Sequence, residues 1–287
     1  MWVAATPAIF VVLWSTGFIG GRMGMPHAEP GTFLIVRFLP VIAIFAVVGL
    51  IMRAPWPRGA QWLHIAVAGI LVHGFYLGGV FFAISRGMPA GLSALIVGVQ
   101  PLLTACLVGP LMGERIRPVQ WLGFVLGFAG VLLVLEQKLS FAGAGIEALA
   151  FNVGALLGIT FGTLYQKRHC ASMDLRTGSV VQYIAAALFI LPWALALERF
   201  HIDWTRDFLV AYVWLVLVLS VGTVTLLWVL VRRGAASKVA SLFYLVPPCT
   251  ALFAWLLFDE TLGWLAIAGM ALTMIGVALV NRQPASR

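Results

Sequence analysis

The chain alternates long apolar stretches with short breaks that carry most of its charges, prolines and glycines. Ten of these stretches approach the roughly 20 residues that an α-helix needs to cross the hydrocarbon core of a bilayer. The breaks between them are too short to hold a soluble domain. The pattern therefore predicts an all-α polytopic membrane protein with ten transmembrane helices. We place helices 1 to 10 near residues 3–21, 32–52, 62–84, 90–112, 118–136, 147–167, 177–197, 208–230, 236–258 and 262–281.

The second half of the chain repeats the first half 146 residues later, without a gap. Each copy holds five predicted helices, an odd number, so the second copy must enter the membrane from the opposite side. We therefore expect two inverted five-helix repeats, residues 1–142 and 143–287, in one membrane domain. Inverted repeats give a conformation open to one side a counterpart open to the other side, which is alternating access. The coinciding pairs include Arg86 and Arg232, Pro101 and Pro247, Glu114 and Glu260, Gly123 and Gly269, and Gly130 and Gly276.

Composition and charge indicate the environment and the orientation. With 62% hydrophobic residues, 10% charged residues and a mean hydropathy of +1.04, the chain has too little polar surface for a soluble globule. Placing both termini inside puts twelve basic residues on the inner side and five on the outer side, which satisfies the positive-inside rule. We expect a multi-pass protein of the bacterial inner membrane with both termini cytoplasmic. The net charge of +8 then reflects topology and contact with membrane lipids, and indicates no nucleic-acid partner.

Several kinds of chemistry lack their sequence signatures. The chain has no G-x-x-x-x-G-K-[ST] phosphate loop, so ATP is not expected to drive it. Its three cysteines, Cys106, Cys170 and Cys249, have no C-x-x-C spacing and indicate neither a disulfide framework nor a metal site. We find no nucleophile–base pair of the kind that a membrane enzyme needs. The sequence therefore predicts neither an enzyme nor a bound cofactor.

Four segments resemble the EamA-type carriers of the drug/metabolite transporter superfamily. They are WSTGF at 14–18, VRF at 36–38, PLLTACLVGPLMGE at 101–114 and PPCTALFAWLLFDE at 247–260. The chain is also similar in length and helix count to the YddG-type amino-acid exporters of that superfamily. The resemblance implies export of small metabolites, often amino acids, from the cytoplasm. It further implies a central cavity lined mainly by helices 1, 3, 4, 6, 8 and 9.

Polar and amphipathic residues inside the predicted spans are the candidates for substrate contact, because such groups are costly in hydrocarbon and usually face an interior cavity. Aromatic rings would hold an apolar side chain, and hydroxyl, amide and imidazole groups would orient an amino-acid head group. Trp and Tyr residues also form interfacial belts, which is the alternative for Trp14 and Tyr165. The candidates are Trp14, His73, Tyr76, Gln100, Asn152, Thr163, Tyr165, Trp228, Ser241 and Tyr244.

Two ionisable residues fall within predicted spans and allow more than one interpretation. His73 lies one helical turn from Tyr76. It either senses protons, binds a carboxylate, or is a neutral, hydrogen-bonded group. Arg37 is the only lysine or arginine that lies beyond the first or last turn of a predicted span, and we expect it to extend toward the interface or bond backbone carbonyls. Direct binding of a substrate carboxylate is the alternative role for Arg37.

Prolines and glycines predict where the helices bend and where they pack closely. Pro101 in helix 4 and Pro247 and Pro248 in helix 9 should kink their helices, either as hinges or as fixed bends. Glycines spaced four apart let helices approach closely, or on an exposed face could hold a homodimer together. The glycines assigned to packing are Gly74, Gly78, Gly123, Gly127, Gly154, Gly158 and Gly162.

Taken together, the sequence predicts an alternating-access exporter of amino acids, including aromatic and neutral ones, or of related small metabolites. The absence of Asp and Glu from the middle third of any predicted span disfavours strong coupling to H⁺ or Na⁺, so we expect a facilitative or weakly coupled carrier. Two other hypotheses stay open. One is a carrier for amphipathic drugs or lipids, and the other is a membrane enzyme or a structural scaffold. The sequence does not choose between a monomer and a homodimer.

Overall fold

A computed structural model of the chain describes residues 2–88, 90–136, 145–258 and 263–282. Over these residues ten membrane helices form, and nine of them have 18 or more residues of strongly apolar character. The tenth, the shorter apolar helix Pro118–Val134, fills the fifth predicted position. The ten-helix membrane fold predicted from the sequence is confirmed. Glu260, one member of the repeat pairs, lies outside the described residues.

The observed helices follow the predicted positions to within a few residues. Helix 1 differs most, because it runs past the predicted end at residue 21 and continues as a 3-10 turn over Met25–His27. Its glycines do not end the helix but let it pack closely, since a Cβ on Gly20 would come within 2.9 Å of Leu215. The helices are Trp2–Gly24, Pro30–Ile51, Gln61–Ser85, Ala90–Val97 continued by Gln100–Met112, Pro118–Leu135, Ile146–His169, Leu175–Leu197, Arg206–Arg233, Ala236–Ser241 continued through Leu242–Leu245 to Val246–Phe258, and Trp264–Asn281.

Helices 4 and 9 are interrupted just before their prolines. Helix 4 breaks at residues 98–99, and helix 9 passes through a 3-10 turn at Leu242–Leu245. A proline lacks the N–H that would bond the carbonyl four residues earlier, so the helical ladder opens one turn before it. Pro101 and Pro247 accordingly stand at the start of the second segment of each helix. The two helices are thus interrupted at corresponding places in the two halves.

Helices 3 and 8 share an irregularity that the sequence analysis did not predict. Ile70–Gly78 in helix 3 and Leu215–Thr223 in helix 8 are π-helical. Each segment is nine residues long and their first residues are 145 positions apart. π-helical turns widen the backbone ladder and are frequent at functional sites. Both segments are mainly apolar, with His73 in the first and Ser220 and Thr223 in the second, and the sequence analysis drew no backbone irregularity from these residues.

Helices 5 and 10 pack backbone to backbone along a glycine seam. A Cβ on Gly123 would come within 2.6 Å of the carbonyl oxygen of Gly276, and one on Gly130 within 2.6 Å of the carbonyl oxygen of Gly269. At the 146-residue offset Gly123 corresponds to Gly269, and Gly276 corresponds to Gly130, so the two contacts are equivalent. This equivalence is the pattern of a local two-fold axis between helices 5 and 10.

The other predicted packing glycines divide into close and open positions. A second seam joins helices 6 and 3, where a Cβ on Gly158 would lie 2.7 Å from the Leu71 carbonyl oxygen and one on Gly162 2.5 Å from Val72. Gly154 has nothing within 4 Å of a built Cβ, so its assignment to this seam is corrected by the open space beside it. For the other three glycines, a built Cβ would lie 2.8 Å from Phe189 at Gly74, 2.5 Å from Tyr244 at Gly127 and 3.8 Å from Ile190 at Gly78.

The glycine seam predicts opposite results for two alanine substitutions. In Gly276→Ala the new methyl group would meet the backbone of Gly123 and Gly127 at 2.5 to 2.6 Å, and overpacking of this kind costs about 1–3 kcal/mol. We expect its melting temperature in detergent to fall by about several degrees. Gly154→Ala is the matched control and should not lower it. Equal melting temperatures for the two variants would show that the seam is not tightly packed.

Candidate functional site

A cavity of about 1090 Å³ opens at the end of the bundle that carries the 1–2 and 7–8 connections, and it reaches the middle of the helices. Helices 1, 2, 3, 8 and 9 line it. Helix 2 was not expected to contribute, and helices 4 and 6 were expected but do not line this cavity. The cavity mouth includes Met25, Glu29, Arg199 and Asp203. The cavity floor consists of Trp14, Arg37, His73 and Tyr76.

Three of the ten predicted substrate contacts meet at the cavity floor. Trp14 comes from helix 1, and its indole lies nearly parallel to the ring of Tyr76 from helix 3, with ring centroids 6.5 Å apart. His73 lies on the same π-helical segment as Tyr76. Pro247 of helix 9 also lines the cavity. The floor thus presents flat aromatic surface from two helices that are far apart in the sequence.

The imidazole of His73 is surrounded by three aromatic rings. Its imidazole stacks on Tyr183 at 4.2 Å between ring centroids, and the rings of Phe38 and Trp228 meet it edge-on at 6.3 and 6.4 Å. It is 1% exposed, and its imidazole interacts with the side chain of Gln182, although neither ring nitrogen forms a hydrogen bond of normal geometry with a described residue. Trp228 is also 1% exposed and is not part of the cavity lining, so it packs behind the floor. A buried polar group without a full hydrogen bond is costly, so the interaction with Gln182 leaves His73 only partly satisfied.

Arg37 is the cation of the cavity floor. It is 5% exposed, and its Nε donates to the hydroxyl of Ser220 at 2.9 Å. Ser220 belongs to the π-helical segment of helix 8, and its carbonyl accepts from the Tyr183 hydroxyl at 3.1 Å. Within the described part of the chain Arg37 forms no ion pair and bonds no backbone carbonyl. The expectation that it extends to the interface or bonds carbonyls is corrected, because its guanidinium turns inward to Ser220.

Three further candidates stabilise contacts on helices 4 and 6 and do not line the cavity. The side-chain amide of Gln100 donates to Thr104 at 3.2 Å, and its oxygen has no partner among the described residues. Asn152 joins helix 6 to helix 4, since it donates to the carbonyl of Ser93 at 3.1 Å and accepts from its hydroxyl at 2.7 Å. Thr163 donates to the backbone of its own helix.

The last three candidates lie in packed regions away from the cavity. The hydroxyl of Tyr165 is 2.7 Å from Nδ1 of His64, near the end opposite the mouth. Ser241 donates to the carbonyl of Lys238. Tyr244 is fully buried, with its ring against Gly127 of helix 5. All three have polar atoms in apolar helices, the same signal that identified His73. Only the packing of the helices distinguishes them from the floor residues.

Helix 9 lines the cavity, whereas the described part of its repeat counterpart, helix 4, does not. The helix 9 residues that line the cavity are Pro247, Thr250 and Ala251. Their counterparts, 146 positions earlier in helix 4, are all buried: Pro101, Thr104 and Ala105. Two of the three pairs therefore differ in environment, since Pro247 and Thr250 are partly exposed whereas Pro101 and Thr104 are buried. Ala251 and Ala105 are both buried, and Ala251 differs only in lining the cavity.

Hydrogen bonds join the connections at the end opposite the mouth, which we call the closed end. Glu114, after helix 4, accepts from the backbone N–H of Ala236 at 3.1 Å and from the hydroxyl of Ser237. Lys167, at the end of helix 6, donates to the carbonyl of Gly234. Two further contacts join Arg168 to the carbonyl of Leu111 at 3.0 Å and Arg232 to the carbonyl of Met173. Glu114 thus connects the two halves across the closed end.

A comparison with known proteins also divides the chain into two similar halves. A sequence model of the EamA-like transporter family matches residues 2–136 and residues 147–282. The uncharacterized transporter YvbV of Bacillus subtilis is 27% identical over 96% of this chain and 90% of its own. A probable amino-acid metabolite efflux pump of Salmonella typhimurium is 25% identical, over 94% and 91%. The uncharacterized inner membrane transporter YedA of Escherichia coli K12 is 24% identical, over 93% and 88%. Among solved structures, a crystal structure of a protein that is 20% identical has a similar fold, with a TM-score of 0.79 over 96% of this chain and 95% of that one.

The unequal environments of helices 4 and 9 predict unequal labelling of two equivalent threonines. In a variant without the native cysteines, Thr250→Cys should react readily with a hydrophilic maleimide, because Thr250 lines the cavity. Thr104→Cys is the matched control, since Thr104 is its repeat counterpart and is 1% exposed. We expect its labelling to be slower by about tenfold or more, consistent with a state open at one end. Equal rates would contradict the one-sided cavity.

Proposed function

Because the chain belongs to the EamA-like transporter family, we propose that it exports amino acids or related small metabolites across the bacterial inner membrane by alternating access. The observation that carries this proposal is the cavity, which is open at one end and stops at a polar and aromatic floor in the middle of the bundle. The hydrogen bonds of the closed end separate this floor from the opposite side. A compartment of this form holds a solute without forming a continuous pore.

The chemistry of the cavity supports a small amphipathic metabolite as the substrate. Its volume of about 1090 Å³ is ample for an amino acid. Trp14 and Tyr76 supply flat apolar surface, and Arg37 supplies a charge. One relative carries the name of a probable amino-acid metabolite efflux pump. The alternative, a carrier for amphipathic drugs or lipids, would favour a more apolar groove without a buried cation, which is costly to desolvate.

Symmetry between the two halves supports alternating access. If residues 1–142 and 143–287 are inverted copies, exchanging their conformations would bury Thr250 and expose Thr104. The segments that would change are the irregular ones, the break at residues 98–99 and the 3-10 turn Leu242–Leu245. Those breaks precede Pro101 and Pro247, which we propose act as hinges. The glycine seam between helices 5 and 10 would stay packed and serve as the fixed axis.

Charge supports the orientation of this movement. The connections at the closed end carry most of the basic residues, including Arg168, Arg176 and Arg232, and short basic loops stay in the cytoplasm. Both termini then lie in the cytoplasm, and the mouth faces outward. The structure would be the outward-open state of an exporter. Since no carboxylate lies in the middle third of any span in the sequence, the metabolite's own gradient would drive export with little or no ion coupling.

Counterflow in proteoliposomes tests the proposed function. Vesicles loaded with unlabelled phenylalanine or leucine should accumulate the labelled amino acid transiently, with saturable kinetics. The rate should not change when a proton gradient is imposed, because the mid-span regions hold no carboxylate. Empty vesicles are the control. Flux of amphipathic drugs with no flux of any amino acid would contradict the proposal, and gradient-driven flux would contradict the facilitative mechanism.

The closed end predicts that one carboxylate biases the conformational equilibrium. Glu114→Gln removes the negative charge of the carboxylate that accepts hydrogen bonds from Ala236 and Ser237. Hydrogen bonds to charged groups contribute about 1.5–3 kcal/mol to stability. We expect the inward-open population to rise, so that labelling of Thr104→Cys becomes faster by about tenfold. Asp207→Asn, an exposed carboxylate at the mouth end, is the control and should leave the rate unchanged. An unchanged labelling rate in Glu114→Gln would show that Glu114 does not stabilise the closed end.

A further inference from the structure

We propose that the guanidinium of Arg37 is the binding site for a substrate carboxylate, and that the cavity therefore selects small carboxylates with an apolar or aromatic body over the corresponding amines. The inference rests on the proposed function, because it names the substrate class of the same cavity. It is carried by three features of the described residues: a cation without a counter-ion, its place between the two halves, and the aromatic surface beside it.

Arg37 carries a buried charge that the protein does not neutralise. An arginine has five N–H donors, and among the described residues the hydroxyl of Ser220 is the one acceptor that Arg37 uses. No described carboxylate pairs with it, and the sequence has no Asp or Glu in the middle third of any span. A charge removed from water normally finds a partner of opposite sign. Because Arg37 lines the cavity, an anion entering from the mouth can reach the unused donors.

Arg37 also lies where the two halves of the chain meet. Its counterpart 146 positions later is Tyr183. Both residues bond Ser220, Arg37 through the serine hydroxyl and Tyr183 through the serine carbonyl. Ser220 is about halfway along helix 8, and His73, which stacks on Tyr183, is about halfway along helix 3. If the two halves are inverted copies, a ligand held at this point would lie near their pseudo-two-fold axis, and either half could expose it to its own side.

The pairing of Arg37 with its repeat counterpart Tyr183 gives the site one positive charge rather than two. The repeat places a neutral phenol at Tyr183 opposite the guanidinium of Arg37. One cation matches one carboxylate, whereas a phosphate dianion would leave an uncompensated charge in the bundle. Beside Arg37, Trp14 and Tyr76 offer stacked rings to the rest of the ligand. The floor therefore fits a single anionic group attached to an apolar body.

Ligand-induced stabilisation of the purified, full-length protein tests this assignment without requiring transport. The probes are phenylalanine, 3-phenylpropionate, which lacks the ammonium group, and phenethylamine, which lacks the carboxylate. We expect 3-phenylpropionate to bind within about tenfold of phenylalanine, and phenethylamine to bind more weakly by at least about tenfold, because like charges repel at Arg37. Inorganic phosphate is the fourth probe and should compete poorly.

Two variants separate binding from folding. Arg37→Gln should abolish the preference for carboxylates, so that the two single-charge analogues bind within about threefold of each other. Ser220→Ala removes the Nε acceptor but keeps the charge, and it should retain the preference. If Arg37→Gln does not fold, the wild-type ranking with Ser220→Ala still decides the proposal.

Each alternative outcome has a distinct meaning. Equal binding of the acid and the amine by the wild-type protein would overturn the carboxylate site, even if counterflow of amino acids succeeds. Binding of phosphate as tight as that of 3-phenylpropionate would overturn it in favour of a general oxyanion site. Selective binding of carboxylates without amino-acid counterflow would uphold the site and contradict the proposed amino-acid transport. Absence of binding by all four probes would overturn it as well.

Discussion

A cation buried in a membrane bundle, with no counter-ion among the residues that the structure describes, is the constraint on which the rest of the structure depends. Arg37 is tolerated there because a cavity reaches it from one end and because Ser220 accepts one of its hydrogen bonds. Ser220 and His73 both lie on π-helical segments, so the irregular backbone of helices 3 and 8 surrounds the charge. A regular, fully packed bundle would leave Arg37 desolvated and unpaired.

Rigid and deformable elements are separated in the fold. The seams at Gly123 and Gly276 and at Gly158 have carbonyl oxygens within 2.7 Å of a built Cβ, which leaves no room for sliding without backbone separation. The breaks before Pro101 and Pro247 lack a continuous helical ladder. Conformational change is therefore expected where hydrogen bonds are already missing. The tightly packed seams would carry the two halves as units.

Much of the fold could be predicted from the sequence because it follows from local patterns: span length, repeat offset, proline kinks and most glycine contacts. The site could be predicted only in part. Tyr165 and His73 give the same local signal, a polar group in an apolar helix, yet only His73 reaches the cavity floor. Gly154 and Gly158 share one spacing and differ in what faces them. Arg37 had a usable signal, since it is the only basic residue in a span that otherwise lacks ionised groups.

A structure of the protein with bound phenylalanine would test the carboxylate site at Arg37 directly. We expect a carboxylate oxygen at about 3 Å from a terminal nitrogen of Arg37, with the phenyl ring against Trp14 or Tyr76. Arg37 should keep its bond to Ser220 in that complex. A ligand bound with its ammonium group at the cavity floor, or held at the mouth near Arg199 without contact to Arg37, would contradict a carboxylate site at Arg37.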